Sequence, residues 1–447
     1  MQFSLSEVAS ALGLPAPSPD AAVTGWSIDT RTLAAGDLFF AFPGTRVEGS
    51  SYIGEAFAKG AVAAIASAPA PQVSGPVLVV PDVAAALGQL GSWARTRWGG
   101  TVVGLTGSGG KTTTKEAIVR VLSTAFSVAS NKGNLNNHLG LPLSILRIPD
   151  GSQVAVLEMG MNHAGEIRYL AETARPDIGV ITNVGYAHIE NFDSIEGIAA
   201  AKRELIEGLS PEGTAVLNAD DERVRKFREV HPGAVITYGI TEDADIRATG
   251  VQFRPDGTDF QVDNVVFHTA LPGIHGLRNT LAALAAGRVM GIPLARLVDA
   301  AAGLQPLDMR GARRVWNGIT ILDDTYNANP DACIAMLDLL AVEPASRRIA
   351  VLGEMRELGK WSEELHRRVG RHAAKTGLHT LVGITGAARY TVEEAILAGL
   401  PAAHAQFFPT PADAGDFLRR LVQPGDAILF KGSRGTRVEQ ALERLVS

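Results

Sequence analysis

One cysteine in 447 residues, Cys333, rules out any intrachain disulfide, so the fold must hold by core packing and a reducing compartment suits it. Standing alone, that thiol is expected to pack and not to act as a nucleophile. Surplus positive charge is lacking too. The 41 Lys and Arg stand against 47 Asp and Glu, a formal net charge of −6. A general nucleic-acid binder needs clustered cations to displace counterions, so that class is excluded and any anionic ligand must meet a local site. Long apolar runs are missing as well. No stretch approaches the roughly 18 residues a membrane span needs, and Met1–Gly13 has neither the basic start nor the apolar core of a secretion signal. A cytoplasmic protein without a membrane span is expected. With 46% hydrophobic and 20% charged residues the composition is that of packed domains, two or three of them at this length.

Residues 1–85 read as a small first α/β unit, with short apolar runs at Asp37–Phe42 and Val77–Val80, a Pro-rich break at Pro15–Pro19 and an exit through Pro69–Pro81. From Thr101 the pattern becomes apolar strands alternating with helical stretches, the signature of parallel βαβ units. Candidate strands are Thr101–Thr106, Gln153–Glu158, Ile178–Asn183 and Thr214–Asn218. An insert over Asp245–Thr269, with a Pro-Asp-Gly turn at 255–257, reads as an antiparallel excursion before a helix over Arg278–Met290. The rhythm then restarts at Ile319–Asp323, Arg348–Leu352, Thr380–Ile384 and Ala427–Phe430. The expected architecture is α/β in three domains: 1–85, a central P-loop ATPase-type parallel sheet over 86–310, and a Rossmann-like domain over 311–447.

The strongest local signal is Thr101-Val-Val-Gly-Leu-Thr-Gly107-Ser108-Gly109-Gly110-Lys111-Thr112-Thr113, a strand, a glycine-rich turn and a helix expected to reach Phe126. Glycines let backbone N–H groups converge on phosphate oxygens, and the helix N-terminus adds its positive end. Lys111 reaches the terminal phosphates and the Thr112 hydroxyl can ligate Mg²⁺. The spacing departs from the common one, since Leu105 stands where the first glycine belongs. A dinucleotide turn is the rival, but its third glycine falls on Thr112. Such a loop identifies a nucleotide and not a reaction.

Ligands of open α/β sheets gather at the carboxyl ends of the strands, which selects Glu158 and His188. Glu158 ends an apolar run and can face the phosphates and a metal; a solvated strand-end carboxylate is the bland alternative. His188 stands in a turn, where a structural role is equally open. Asn131, Asn134, Asn136 and Asn137 put four amides in seven residues, either as turn formers or as ligand groups.

Together these segments resemble the Mur ligases, ATP-dependent amino-acid-adding enzymes of peptidoglycan synthesis, along nearly the whole chain. The resemblance rests on Thr106-Gly-Ser-Gly-Gly-Lys-Thr-Thr-Thr, Asn134-Leu-Asn-Asn, Glu158-Met-Gly-Met-Asn, Thr182-Asn-Val-Gly-Tyr-Ala-His-Ile-Glu, Asp323-Asp-Thr-Tyr-Asn-Ala-Asn-Pro, Gly353-Glu-Met-Arg-Glu-Leu-Gly and Lys431-Gly-Ser-Arg. The segments at Asp323 and Gly353 look most like the branch that adds D-alanyl-D-alanine to a UDP-muramoyl-tripeptide. That branch implies an N-terminal domain for the uridine end, a central ATP domain and a C-terminal domain for the dipeptide. It implies that Gly107 to Thr113 hold the triphosphate, with Asn279 near adenine, Asp324 at ribose and Arg310 at the γ-phosphate. Thr112, Glu158 and His188 would serve two Mg²⁺ ions. Ser27, Asp29, Thr30 and Arg31 match the uridine diphosphate segment; Asn134, Asn136 and Asn137 the substrate loop; Tyr326, Asn327, Arg356 and Arg434 the dipeptide motifs. Glu48-Gly-Ser-Ser-Tyr-Ile and His138 depart from the pattern, and no role carries over to them. A monomer is expected, and the third residue of the peptide, lysine or diaminopimelate, is left open. Rival readings are another Mur-type or folylpolyglutamate-type ligase, and a P-loop ATPase without ligation.

Lys202, in the helical stretch Ile198-Ala-Ala-Ala-Lys202-Arg-Glu-Leu-Ile, matches the position where the family carries a lysine that has reacted with CO₂. The bland reading is a solvated helix lysine. An ammonium about 4 Å from a divalent ion would be repelled by roughly 8 kcal/mol at an effective dielectric of ~20, whereas a carbamate reverses the sign.

Overall fold

The computed structural model describes residues 1–44 and 48–447. In the first domain the strands Gly25–Ser27, Asp37–Phe40, Ala63–Ala66 and Val77–Val79 lie parallel in that order. Asp37–Phe40 and Ala63–Ala66 are buried throughout, as a parallel sheet covered on both faces requires, so they carry no polar alternation. Helix Val83–Trp98 then carries the chain to the second domain. The Asp82 carboxylate accepts the Ala84 and Ala85 N–H groups at its start, and Gly99 ends it at φ 67.

The central sheet has seven parallel strands in the order Ile246–Arg247, Ala234–Gly239, Thr214–Asn218, Ile178–Ile181, Thr101–Thr106, Val154–Glu158, Val128–Ser130. The strand that feeds the phosphate loop is therefore flanked by those ending at Ile181 and Glu158. Ile178–Ile181 stops short of Asn183 because the next two side chains turn into the loop. Thr182 Oγ1 donates to Gly109 O at 2.7 Å, and Asn183 Oδ1 accepts the Gly109 N–H at 2.8 Å. The helix after the loop ends at Leu122, short of Phe126, and closes in a turn where Thr124 Oγ1 donates to Val121 O.

The insert divides differently from its sequence reading. Ile246–Arg247 extends the parallel sheet beside Tyr238 and Gly239, and only Thr249–Arg254, Gly257–Val262 and Val265–Thr269 form the antiparallel sheet. Phe260 and Phe267 from that sheet stack at 5.5 Å and pack, with Leu277, Leu281 and Leu284, against Val103, Leu105 and Val180 of the central strands. Those leucines lie on helix Gly273–Val289, which starts five residues before Arg278 because Pro272 sets its entry and Leu277 is already fully buried.

The third domain carries six strands in the order Ala312–Trp316, Ile319–Asp324, Asp426–Lys431, Arg347–Gly353, Thr380–Ile384, Ala405–Phe408. The first is antiparallel to its neighbour and the rest are parallel. Cys333 is buried in this domain, and burial pushes its thiol up to about 12, so it is a packing residue. Among the described residues, no helix is long and apolar enough to cross a membrane.

Candidate active site

A cleft of about 730 Å³ opens at the carboxyl ends of the central strands and is closed on its far side by the third domain. The phosphate loop forms its floor. Gly110 stands at φ 74, and a Cβ there would lie 2.6 Å from Asn279 Oδ1, so only glycine fits between the loop and helix Gly273–Val289. Asn279 also receives the Thr114 hydroxyl at 3.0 Å. Lys111 Nζ folds back onto Gly107 O at 2.9 Å. Burial holds the Lys111 ammonium below its usual pKa, with Glu158 opposing that shift and Arg310 adding to it.

Glu158 is buried, and both its oxygens are engaged: Oε2 accepts Thr112 Oγ1 at 2.8 Å and Oε1 accepts Asn136 Nδ2 at 2.9 Å. The four amides divide between their alternatives. Asn131 is spent on backbone, bonding Leu135 O, Glu158 O and the Glu158 N–H, and Asn137 Oδ1 accepts the Leu139 and Gly140 N–H groups. Asn136 holds the carboxylate, and Asn134, Asn136 and Asn137 all line the cleft.

His188 sits at φ 62, and its Nδ1 lies 2.6 Å from Glu357 Oε2 of the third domain, a close contact without the alignment of a hydrogen bond. His188 first, and Lys111 more weakly, hold the Glu357 carboxyl below its usual range. Met309 and Glu357 also have left-handed backbones, so three such non-glycine residues border the place where the domains meet. Each costs on the order of 1 kcal/mol or more, a strain that recurs at functional sites.

Arg310 at the domain junction, and Asp324, Tyr326 and Asn327 from the third domain, line the same cleft. The Arg310 guanidinium lies 3.8 Å over the Tyr326 ring, which fixes its plane and leaves its N–H edge for an anion. Lys431 Nζ reaches Asp324 Oδ2 at 2.5 Å and Asn327 O at 2.9 Å, tying the two together. Sequence reasoning gave no role to Asn183, Glu357 or Lys431, although each stands inside a motif that it quoted.

Several predicted residues lie off this lining. Lys202, on helix Ile195–Glu207, is 1% exposed; burial and then Lys111 push its amine well below the usual lysine range. It is not the solvated lysine of the bland reading. Arg356 and Arg434 stand beside the cleft at the ends of strands Arg347–Gly353 and Asp426–Lys431. The Arg356 N–H donates to Ser433 Oγ, and Arg434 pairs with Glu439 at 3.1 Å. Ser27 ends the first strand of the N-terminal sheet, and Asp29, Thr30 and Arg31 follow it. There the Arg31 fork on Asp29, at 2.6 Å, holds that carboxyl at about 2. Arg147 ties this segment to the central domain through two bonds to Trp26 O, at 2.9 and 2.6 Å.

Among the described residues no cluster of three or more His, Cys, Asp or Glu is assembled. The donors present, a hydroxyl and carboxylate already paired plus one imidazole, fit Mg²⁺ that takes its remaining ligands from phosphate and water, as that ion commonly does.

A phosphate loop facing an arginine and a second set of polar groups across a domain junction is the arrangement of a nucleotide site completed between two domains. Residues 22–93 match the Mur ligase family catalytic domain, 105–287 the Mur ligase middle domain, and 309–434 the Mur ligase glutamate ligase domain. The chain is 36% identical over 437 residues to the UDP-N-acetylmuramoyl-tripeptide--D-alanyl-D-alanine ligase of Synechocystis sp., covering 96% of this chain and 93% of that one. A crystal structure of MurF from Acinetobacter baumannii superposes with TM-score 0.92 at 30% identity, covering 100% and 99%. MurF ligase from Thermotoga maritima in complex with ADP does so with TM-score 0.85 at 31% identity, covering 95% and 97%. The chain belongs to the Mur ligase family.

Proposed function

We infer that this protein adds D-alanyl-D-alanine to UDP-N-acetylmuramoyl-tripeptide, consuming ATP and giving the pentapeptide product, ADP and phosphate in peptidoglycan synthesis. The observation that carries this reading is the shared cleft, in which Lys111 and the phosphate loop face Arg310, Tyr326 and Asn327. Residues 1–85 take the uridine end, with Ser27, Asp29, Thr30 and Arg31 at the diphosphate. Residues 86–310 take ATP and the tripeptide end, with Asn134, Asn136 and Asn137 on the substrate side. Residues 311–447 take the dipeptide, its carboxylate drawn to Arg356 and Arg434. The protein acts as a monomer in the cytoplasm, where ATP and the nucleotide-linked substrate are found.

A carboxylate is a poor acyl donor because attack must expel an oxide. Transfer of the γ-phosphoryl to a carboxylate oxygen converts that oxide into phosphate, a good leaving group. Lys111, Arg310 and the helix N-terminus stabilise the charge spread over the moving phosphoryl without reorganising, and the closed third domain excludes water from the acyl phosphate. The dipeptide amine attacks the acyl carbon, and the tetrahedral adduct collapses to the amide as the C–O bond to phosphate breaks. Mg²⁺ would neutralise phosphate charge, held by Thr112, Glu158, His188 and a carbamate on Lys202. That carbamate forms when the neutral amine attacks CO₂ and loses a proton, which a depressed lysine pKa favours.

The test is phosphate release from ATP with UDP-muramoyl-tripeptide and Mg²⁺, with and without D-alanyl-D-alanine. Release that depends on both, with pentapeptide in the product, is expected. Release without an amine would replace the reading by a non-ligating ATPase, and preference for another amine by a sibling or folylpolyglutamate-type ligase.

A further inference from the structure

The turn Gly185–Glu190 leaves the central sheet beside the phosphate loop and is gripped from the third domain at both ends. At its start Ser108 Oγ both accepts the Gly185 N–H, at 2.8 Å, and donates to Gly185 O, at 2.9 Å, so the turn and the loop move as one piece. Against that spot stands Asp331, in the first turn of helix Pro330–Val342. Its Oδ2 accepts the Tyr186 N–H at 3.2 Å, and its Oδ1 takes Arg368 Nη2 at 3.0 Å. The Arg368 guanidinium then lies 5.2 Å from the centre of the Tyr186 ring. A Cβ on Gly185 would come within 2.4 Å of Asp331 Oδ2, so the approach depends on glycine there. At the other end the Glu190 N–H donates to Glu357 O at 3.1 Å, beside His188.

We propose that Asp331 and Arg368 are positioning residues that lock the third domain onto the phosphate-loop turn, so that the loop, His188 and Arg310 share one geometry only when both members of the pair are in place. This rests on the ligase reading above. Asp331 borders the cleft and Arg368 stands outside it; both act through Gly185–Tyr186. Both side chains are partly exposed, at 38% and 40%, so their removal perturbs docking and not a core. A carboxylate bonded at once to a backbone N–H and a guanidinium sets direction as well as distance, and the cation–ring contact closes the triangle on Tyr186.

The full-length chain would be compared with Asp331→Ala, Asp331→Asn, Arg368→Ala and the double Ala variant. Steady-state ligation, equilibrium binding of ATP, and solution scattering with a non-hydrolysable ATP analogue would be measured on each. Single Ala variants should lower kcat at least tenfold with ATP affinity within threefold, and should stay expanded where wild type compacts. Asp331→Asn, which keeps an acceptor for Tyr186, should fall between. The double variant should be no worse than either single one, because the two act as a unit. A kcat within twofold of wild type, wild-type compaction, or defects that multiply in the double variant would overturn the proposal. The scattering arm does not depend on which amine is ligated. A wild type that compacts with nucleotide but forms no pentapeptide would therefore count against the functional reading and not against the lock.

Discussion

Replacing Lys202 by methionine should raise stability and destroy activity together, a combination that a surface or purely structural lysine cannot give. The side chain is 1% exposed, and no carboxylate opposes the two causes, burial and the Lys111 ammonium, that depress its pKa. In the folded state the group binds a proton less readily than in the unfolded chain, where its value is the ordinary 10.5. Between the depressed value and 10.5 the unfolded state therefore holds more protons, and stability rises with pH across that window. Below it the full cost of a buried cation remains, several kcal/mol per ion in order of magnitude. Methionine has similar length and no charge. At roughly 2–4 °C per kcal/mol for a domain of this size, its midpoint at neutral pH should rise by ~5 °C or more. Calorimetry on CO₂-depleted protein from neutral to alkaline pH, at fixed ionic strength, measures this. Bicarbonate should raise the wild-type midpoint by converting the amine to an anion and leave the variant unmoved. Ligation should fall at least ~100-fold in the variant, as expected when one electrostatic stabiliser is lost. A lower midpoint in the methionine variant, or an alkaline slope it shares with wild type, would show that the ammonium is already compensated and would refute the carbamate argument.

Lys111→Ala should leave circular dichroism and the melting midpoint close to wild type while reducing ligation at least ~100-fold, because among the described residues its Nζ hydrogen-bonds to Gly107 O alone; activity within tenfold would remove Lys111 from the phosphate site. Arg356→Ala and Arg434→Ala should each raise KM for D-alanyl-D-alanine about tenfold with KM for ATP unchanged, the loss expected of one charge-assisted contact to a carboxylate; equal effects on both substrates would assign these arginines to domain docking.

What could be read from the sequence was what is local. The phosphate loop is contiguous, and a strand, a glycine turn and Lys-Thr at a helix start state their chemistry without any tertiary information. Glu158 and His188 followed from a rule about strand ends, and the structure brings both to the cleft. The asparagine loop could not be divided in advance. Whether an amide binds backbone or ligand depends on which N–H groups the turn leaves unpaired, and only the geometry shows Asn131 used on backbone while Asn137 commits its Oδ1 and still borders the cleft. The insert misled at its edge for a related reason, since two residues are too short a run to distinguish a seventh parallel strand from the start of a hairpin.

The groups that sequence reasoning missed share one property: they act on residues far along the chain. Lys431 serves Asp324 across 107 positions, and Asp331 reaches Tyr186 across 145. Their side chains carry no local signature, because an aspartate in the first turn of a helix or a lysine ending a strand is sufficiently explained by dipole and solvation. Local sequence thus encodes the phosphate loop and the strand ends, whereas the alignment of that loop with the third domain is a coupling carried by contacts between domains. The clearest place for it is the turn where Glu357 meets His188 and Asp331 meets Tyr186, because there the third domain touches the piece of backbone that Ser108 ties to the phosphate loop.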